Sequence, residues 1–200
     1  MDAVITTIIF DLSEVYLKGF KDVEIRLAPV LGVSPEHMHL HEGPDLGLLF
    51  NGKITEDEYW QNVIKKNGWF VDADLLKSAV RKNFEEIEGT RDIIETLKER
   101  GLKLGLLSVH AREWIDFCQK KFDYHKLFHS VSYSFEVGAS KPDKRAYLLI
   151  LEKLKSRPED CMFIDDNPDN LKTADMLGMT TILFKNPKQL RTELTKRNIL

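Results

Sequence analysis

The chain has 200 residues, which suits one full-sized domain or one domain with a modest insertion and excludes two large independent domains. Hydrophobic residues make up 42% and charged residues 30%, a composition that predicts a soluble globular protein and excludes a largely disordered chain. The formal net charge of −3 argues against a protein that coats nucleic acid or an anionic membrane, so we expect neither as a partner.

The first apolar run, residues 3–10, has no basic residue before it and ends at Asp11. It therefore predicts neither a secretory signal nor a membrane span, and we expect a cytoplasmic location. The two cysteines, Cys118 and Cys161, are far apart in the sequence and lack a metal-binding spacing. This favours two buried free thiols in a reducing compartment over a disulfide.

Four short apolar runs predict strands that are buried on both faces of a parallel sheet. They cover residues 4–10, 102–109, 161–164 and 180–184. Helical patterns lie between them, at residues 90–100, 111–122, 142–154 and 168–177. This alternation of strands and helices predicts an α/β core.

Residues 16–88 interrupt the alternation, because the local signals there are helical and no comparable strand pattern appears. Thr55 and Glu58, for example, have the spacing of a capping box at the start of a helix. An insertion after the first strand emerges at the carboxyl edge of the sheet, where open α/β sheets bind ligands. We therefore predict a helical cap at residues 16–88 and a core formed by residues 1–15 and 89–200.

Three carboxylates follow two of the predicted strands, at the edge where parallel strands end together. Asp11 follows the first strand, and Asp165 and Asp166 follow the strand at residues 161–164. Like charges this close require a cation, and Mg²⁺ prefers a few carboxylates, water and a phosphate oxygen to a complete protein cage. The alternative is that each aspartate only caps the next helix. We favour the metal site because it accounts for both strand ends at once.

Two polar residues with a possible role in phosphate binding come between these aspartates in the sequence. Ser108 ends one apolar run, and Lys141 lies in the segment GASKPD at residues 138–143. A hydroxyl and backbone amides at a strand end can bind a phosphate oxygen, and an ammonium offsets the charge of nearby carboxylates and phosphate. Taken singly, Ser108 also fits a helix cap and Lys141 an exposed helix start. Their order relative to the aspartates is what indicates a phosphate site.

The order strand-Asp, strand-Ser, Lys-Pro, strand-Asp-Asp resembles the haloacid dehalogenase superfamily, and the helical insertion resembles its subgroup with a small helical cap. Four motifs over nearly the whole chain carry the resemblance: FDLSEV at residues 10–15, GKIT at 52–55, GASKPD at 138–143 and FIDDNPDN at 163–170. The chain is most similar to the branch of sugar-phosphate phosphatases and the N-terminal phosphatase domain of soluble epoxide hydrolases. The resemblance implies a Rossmann-like core and a Mg²⁺-dependent phosphatase for a small phosphorylated metabolite, with sugar phosphate favoured.

The resemblance also implies roles for individual residues. Asp11 would be the nucleophile that forms an aspartyl-phosphate, and Lys141 would be its catalytic charge partner. The phosphate would be bound by Ser108, Val109 and Lys141. Val109 replaces the asparagine that is more usual in this motif. We expect the next residue, His110, to be a surface or capping residue.

The implied Mg²⁺ ligands are Asp11, Ser13, Asp165 and Asp166, where Ser13 contributes its backbone carbonyl and Asn170 supports the metal loop. Ser13 departs from the family's phosphatases, which usually have a second aspartate there as general acid and base. That catalysis contributes roughly 10²–10⁴-fold, so the serine predicts slow turnover, a substrate with a good leaving group, or a fold without turnover. We favour an active enzyme because the related branch includes phosphatases with a small residue here, and because every metal and phosphate position is retained.

Two other functions remain open at this point. One is a catalytically degenerate binding module, suggested by Ser13, and the other is a metal-independent haloacid dehalogenase in which Asp11 attacks carbon. Metal dependence separates all three. We expect the cap, above all residues 41–52, to contact the leaving group, and we expect the histidines at 37, 39 and 41 to be exposed rather than metal-binding.

Overall fold

The computed structural model describes residues 4–38, 40 and 42–200. Within these residues, five parallel strands form one sheet in the order β3-β2-β1-β4-β5. The strands are β1 (Thr7–Phe10), β2 (Lys103–Ser108), β3 (Ser130–Tyr133), β4 (Cys161–Asp165) and β5 (Thr180–Leu183). Helices flank the sheet, so the protein has the α/β Rossmann-like fold that the sequence predicted.

The sequence prediction misses β3, because that prediction relies on long apolar runs. The strand reads Ser-Val-Ser-Tyr, and its Ser132 is fully buried. Parallel pairing with β2 places Leu107 opposite Ser132 and Ser108 opposite Tyr133. β3 is therefore defined by its pairing at the edge of the sheet rather than by an apolar composition of its own.

In the described part of segment 16–88 there are four α-helices and one short 3-10 helix, Pro35–His37. The α-helices are α1 (Glu24–Leu31), α2 (Asp45–Phe50), α3 (Glu56–Asn67) and α4 (Ala73–Arg81). The predicted capping box at the start of α3 is present: Thr55 accepts the Glu58 amide, and the Glu58 side chain accepts the Thr55 amide. Leu17 pairs with both Ser13 and Glu86. The segment thus leaves and rejoins the core through paired backbone directly after β1.

The described chain contains six further α-helices. They are α5 (Thr90–Glu99), α6 (Arg112–Phe122), α7 (Ser134–Val137), α8 (Lys144–Leu154), α9 (Pro168–Met176) and α10 (Pro187–Lys196). Successive side chains of β1 point to opposite faces of the sheet. Ile8 and Phe10 belong to the apolar cluster that includes α5 and α6, whereas Ile9 belongs to the cluster under α8 and α9. Burial on both faces explains why the strand is a continuous apolar run.

The apolar cluster around Phe10 continues into segment 16–88. Trp60 of α3 and Phe84 are fully buried members of the same cluster. Phe20 stacks on Trp114 of α6, with ring centroids 4.7 Å apart and ring planes 19° apart. The helical segment and the sheet-bearing part therefore share one continuous hydrophobic core in this structure.

Cys118 and Cys161 are both buried free thiols, as the sequence predicted. Burial raises the pKa of Cys118 to about 12 and that of Cys161 to about 11, so both are protonated at neutral pH. Over the described residues, no helix combines the length and the apolar character that crossing a membrane requires.

Candidate active site

The predicted site residues meet at the carboxyl edge of the sheet. Phe10 of β1 pairs with Ile164 of the neighbouring β4, so the next residues of the two strands, Asp11 and Asp165, lie side by side. Carboxylate oxygens of Asp11, Asp165 and Asp166 all lie within 4.8 Å of one another. Strand pairing therefore brings together carboxylates from opposite ends of the sequence.

Lys141 provides a buried positive charge within this carboxylate cluster. Its Nζ lies 2.8 Å from Asp11 Oδ1 and 2.6 Å from Asp165 Oδ2. Burial by itself lowers the pKa of the ammonium, but the charges of Asp11 and Asp165 outweigh it and hold the pKa above its usual value. Lys141 is therefore a permanent cation that offsets two of the carboxylates.

Asp11 lies in the centre of the cluster and is only 6% exposed. Burial raises its pKa to about 7; Lys141 opposes this rise, and the charges of Asp165 and Asp166 add to it. The Leu12 amide donates to Asp11 Oδ1 over 2.6 Å and orients the carboxylate. A second cation beside these carboxylates would favour the ionised form of Asp11.

Asp165 is fully buried, and hydrogen bonds occupy both of its oxygens. Oδ1 accepts the Asn167 amide at 2.8 Å, and Oδ2 accepts the Lys141 ammonium at 2.6 Å. The side-chain amide of Asn170 lies 3.0 Å from both oxygens. Asp165 thus holds Lys141 and the loop after β4 in place, and Asn170 braces it.

The oxygens that remain available for a cation belong to Asp11, Asp166 and the backbone of Ser13. Asp166 is half-buried, and burial followed by the charge of Asp165 raises its pKa. Among the described residues, no backbone amide donates to the Ser13 carbonyl. A donor set made of oxygens alone fits a hard divalent cation such as Mg²⁺.

Ser108 lies beside this cluster, at the end of β2. Because Phe10 pairs with Leu106, Ser108 extends beyond the end of β1 toward the carboxylates. Its hydroxyl is buried, and within the described chain it has no hydrogen-bond partner. A buried polar group without a partner is costly, so this hydroxyl is suited to a ligand that supplies one. Val109 follows it at the same edge of the sheet.

Ser13 occupies the position where the resemblance leads us to expect an acidic residue. A Cβ added to Gly19 would lie only 2.8 Å from Cβ and Oγ of Ser13, so the backbone of Gly19 approaches closely. Glu14 has a left-handed backbone conformation with φ 60°, and its Oε1 accepts the Gly19 amide at 2.9 Å. The side chain at position 13 offers only a hydroxyl, which does not ionise near neutral pH and so cannot act as the general acid and base that an aspartate would be.

His110 is not the surface residue that we expected. It is 3% exposed and lies among the rings of Phe50, Phe84 and Trp114. Its Nδ1 accepts the Ala111 amide at 3.1 Å, but Ala111 is the N-cap of α6 and no side chain caps that helix. The expectation of a capping role is therefore wrong as well. Burial lowers the pKa of His110 to about 4, which keeps the imidazole neutral at physiological pH. No local pattern signals this burial, because the enclosing rings come from distant segments.

The end of α2 lies against the start of α7 and the segment between α7 and α8, and the sequence analysis missed the two serines that hold it there. Ser134 Oγ donates to the carbonyl of Phe50 at 2.5 Å. Ser140 Oγ donates to Asn51 Oδ1 at 2.9 Å. Part of the segment expected to contact the leaving group is therefore fixed beside Lys141, which follows Ser140.

The histidines at alternating positions are only partly described. His37 is exposed, and its Nδ1 lies 2.8 Å from the Ser34 hydroxyl. His39 and His41 lie outside the described residues. The expectation that these two are exposed stays a prediction.

Comparison with known sequences gives a family and several relatives. The profile of the haloacid dehalogenase-like hydrolases matches residues 8–184. The chain is 29% identical to flavin mononucleotide hydrolase 1 of Arabidopsis thaliana, in a match that covers 74% of this chain and 60% of that protein. It is 31% identical to bifunctional epoxide hydrolase 2 of Mus musculus, over 78% of this chain and 30% of that protein. The chain thus spans less than two thirds of the length of these relatives.

The fold also matches solved structures. One is the crystal structure of a haloacid dehalogenase family enzyme from Bacteroides thetaiotaomicron in complex with magnesium and inorganic phosphate. It aligns with a TM-score of 0.78 at 20% identity, over 91% of this chain and 95% of that chain. At this level of identity the likeness shows the shared fold.

Proposed function

Because the chain belongs to the haloacid dehalogenase-like hydrolases, we propose that it is a Mg²⁺-dependent phosphatase that acts through an aspartyl-phosphate on Asp11. One observation carries this proposal: a buried carboxylate cluster adjoins a fixed ammonium and a buried hydroxyl without a partner. Such a set suits a phosphate dianion next to a divalent cation. We propose a small phosphorylated metabolite as the substrate, with sugar phosphates favoured, and neither nucleic acid nor membrane as a partner.

In the proposed first step, Ser108, the backbone of Val109 and Lys141 bind the phosphate oxygens. The Lys141 ammonium offsets the charge of both the phosphate and Asp11, which otherwise repel each other. The Asp11 carboxylate then attacks phosphorus, the bond to the leaving-group oxygen breaks, and an aspartyl-phosphate forms. In the second step water attacks phosphorus, the bond from phosphorus to the Asp11 oxygen breaks, and inorganic phosphate leaves as the Asp11 carboxylate is regenerated.

The residues proposed to hold Mg²⁺ are Asp11, Asp166 and the Ser13 carbonyl, with Asp165 as the buried support. When bound, Mg²⁺ supplies positive charge that stabilises the negative charge gathered around phosphorus. Asp165 keeps its own hydrogen bonds to Lys141 and Asn170 in this arrangement.

Ser13 affects the departure of the leaving group. A serine hydroxyl cannot protonate the departing alkoxide as an aspartic acid would. Esters whose leaving group is stable as an anion, or carries its own acidic group, should therefore react faster than alkyl esters such as sugar phosphates, whose turnover we expect to be slow. Flavin mononucleotide, which the Arabidopsis relative is named for, is itself a phosphate monoester.

A screen of phosphorylated metabolites and p-nitrophenyl phosphate, run with Mg²⁺ and with EDTA, tests the proposal. The Asp11→Asn variant, prepared in the same way, is the control that lacks the proposed nucleophile. The proposal expects phosphate release that EDTA suppresses and that the variant lacks. Release that EDTA leaves unchanged, or that the variant retains, would refute it. Binding of phosphorylated ligands without turnover would support the degenerate binding module that Ser13 suggests.

A further inference from the structure

Glu56, the first residue of α3, is a buried carboxylate that the proposed chemistry does not use; it is 3% exposed. Arg81, which ends α4, donates to both of its oxygens at 2.5 Å. The indole of Trp60 donates to Glu56 Oε1 at 3.3 Å, and the indole of Trp114 donates to the same oxygen at 2.6 Å. Arg81 and Trp60 belong to segment 16–88, whereas Trp114 belongs to α6 of the core.

The contact with Trp114 connects the predicted cap to the candidate phosphate site. α6 is the helix that follows Ser108 and Val109 in the chain. The neighbouring residue on that helix, Glu113, accepts the backbone amide of Glu56 at 3.1 Å. Separation of the cap from α6 would remove both of these hydrogen bonds. It would also leave the buried carboxylate with fewer donors, which is costly in a low-dielectric interior.

A second set of contacts joins the cap to the core at the carboxyl end of α2. The serine contacts at Phe50 and Asn51 hold the segment that precedes Gly52. A Cβ added to Gly52 would lie 3.1 Å from both the Cβ and the carbonyl oxygen of Phe135, so the two backbones are in close contact. The cap is therefore closed onto the core at two separate places.

The boundary between these two places is apolar. Phe50 and Phe84 of the cap and Trp114 of the core enclose the neutral imidazole of His110. Opening the cap would expose these rings to water, at a cost that grows with the apolar area exposed. Closure is thus favoured by a shared core, and the Glu56–Trp114 hydrogen bond is a directional contact within it.

We propose that the Glu56–Trp114 hydrogen bond, supported by the Glu56–Arg81 ion pair, is a latch that holds the cap closed over the candidate active site. Opening of the latch limits the entry of phosphate esters with bulky leaving groups. Glu56 acts through Trp114 and is a positioning residue. The selection by size rests on the proposed phosphatase function, whereas closure of the cap is measurable without any substrate.

Hydrogen–deuterium exchange tests closure with a pair of matched variants. Trp114→Phe removes the donor that crosses the boundary and keeps a ring to stack on Phe20, whereas Trp60→Phe removes a donor inside the cap. We expect exchange in residues 51–58 to become about tenfold faster in Trp114→Phe and to change less than about twofold in Trp60→Phe. Equal exchange in the two variants would overturn the latch. Urea denaturation of both variants separates local opening from global destabilisation.

Kinetics test the selection by size. With p-nitrophenyl phosphate as the small ester and flavin mononucleotide as the bulky one, we expect Trp114→Phe to raise kcat/KM for the bulky ester by about threefold or more. The value for the small ester stays near that of the unmodified protein. A parallel fall in kcat/KM for both esters would contradict the proposed selection by size. Absence of turnover in the unmodified protein would refute the phosphatase proposal and leave the exchange test of closure intact.

Discussion

Lys141 and Asp165 form an enclosed ion pair: Nζ lies 2.6 Å from Oδ2, and the two side chains are 2% and 0% exposed. The same ammonium lies 2.8 Å from Asp11. Because a buried charge without a partner is strongly destabilising, the pair fixes the ammonium where it faces the proposed nucleophile. Lys141 therefore has a structural role as well as the chemical role proposed for it.

Replacement of Lys141 by an uncharged residue tests its structural role. Lys141→Met leaves the carboxylates of Asp11, Asp165 and Asp166 without their buried cation, so we expect the free energy of unfolding to fall by about 3–5 kcal/mol. Urea denaturation measures the change. Excess Mg²⁺ should restore part of it by replacing the lost charge. The control is Lys144→Met at an exposed lysine nearby, where we expect a change within about 0.5 kcal/mol. Equal losses in the two variants would contradict the prediction.

Asp11→Asn tests the covalent mechanism. The amide is nearly isosteric with the carboxylate but is a poor nucleophile, so we expect kcat to fall by at least about 10³-fold. Circular dichroism should show the same fold. Mass spectrometry after rapid quenching should detect a phosphorylated species in the unmodified protein and none in the variant. Unchanged turnover would exclude an aspartyl-phosphate on Asp11.

Asp166→Ala tests the assignment of the metal ligand. The substitution removes one of a few anionic oxygens at the cluster, so we expect the Mg²⁺ concentration for half-maximal activity to rise by about tenfold or more. Asp169→Ala is the control, because Asp169 lies close in the chain, in the first turn of α9, but is exposed and paired with Lys172. Superimposable Mg²⁺ titrations of Asp166→Ala and the unmodified protein would refute the assignment.

Ser13→Asp tests whether the site lacks only its general acid and base. We expect turnover of an alkyl phosphate, such as a sugar phosphate, to rise by about tenfold or more, since the departing alkoxide gains a proton donor. Turnover of p-nitrophenyl phosphate should change little, because its leaving group departs without that help. Ser13→Ala keeps the backbone carbonyl and should behave like the unmodified protein. Equal gains on both esters would contradict this account.

Because His110 is buried in its neutral form, we expect the stability of the protein to depend on pH. Burial lowers its pKa to about 4, so between that value and the unfolded value near 6.5 the unfolded state binds more protons. The stabilisation from the neutral imidazole is complete above the unfolded pKa and is lost as the pH falls toward 4, by roughly 3 kcal/mol.

His110→Asn keeps a hydrogen-bond acceptor for the Ala111 amide and does not titrate in this range. We therefore expect its urea midpoint to fall less than that of the unmodified protein between pH 7 and about pH 4.5. The matched control is His37→Asn, which removes an exposed histidine. A variant with the full pH dependence of the unmodified protein would show that His110 does not cause the acid sensitivity.

Several features of the fold and of the candidate site were readable directly from the sequence. β1, β2 and β4 are short apolar runs because both faces of a central parallel strand are buried, and that requirement acts on each strand separately. β5 was also predicted as a strand buried on both faces, but it lies at the edge of the sheet and is only partly buried. Asp11 and Asp165 come at the ends of such strands, and parallel strands end at one edge. The proximity of Asp11 and Asp165 in space could therefore be predicted from the order of the elements. The capping box at Thr55 is likewise a local pattern.

Other features were decided only by the tertiary structure. β3 is a strand through its pairing with β2, and His110 is buried because Phe50 and Phe84 arrive from the helical segment. Glu56 occupies an ordinary first-turn position in the sequence, yet the indole of Trp114 and the guanidinium of Arg81 enclose it. These contacts join residues that are distant in the chain, and their energies depend on burial. Local patterns determined the elements and their order, whereas packing between elements determined which polar groups are enclosed.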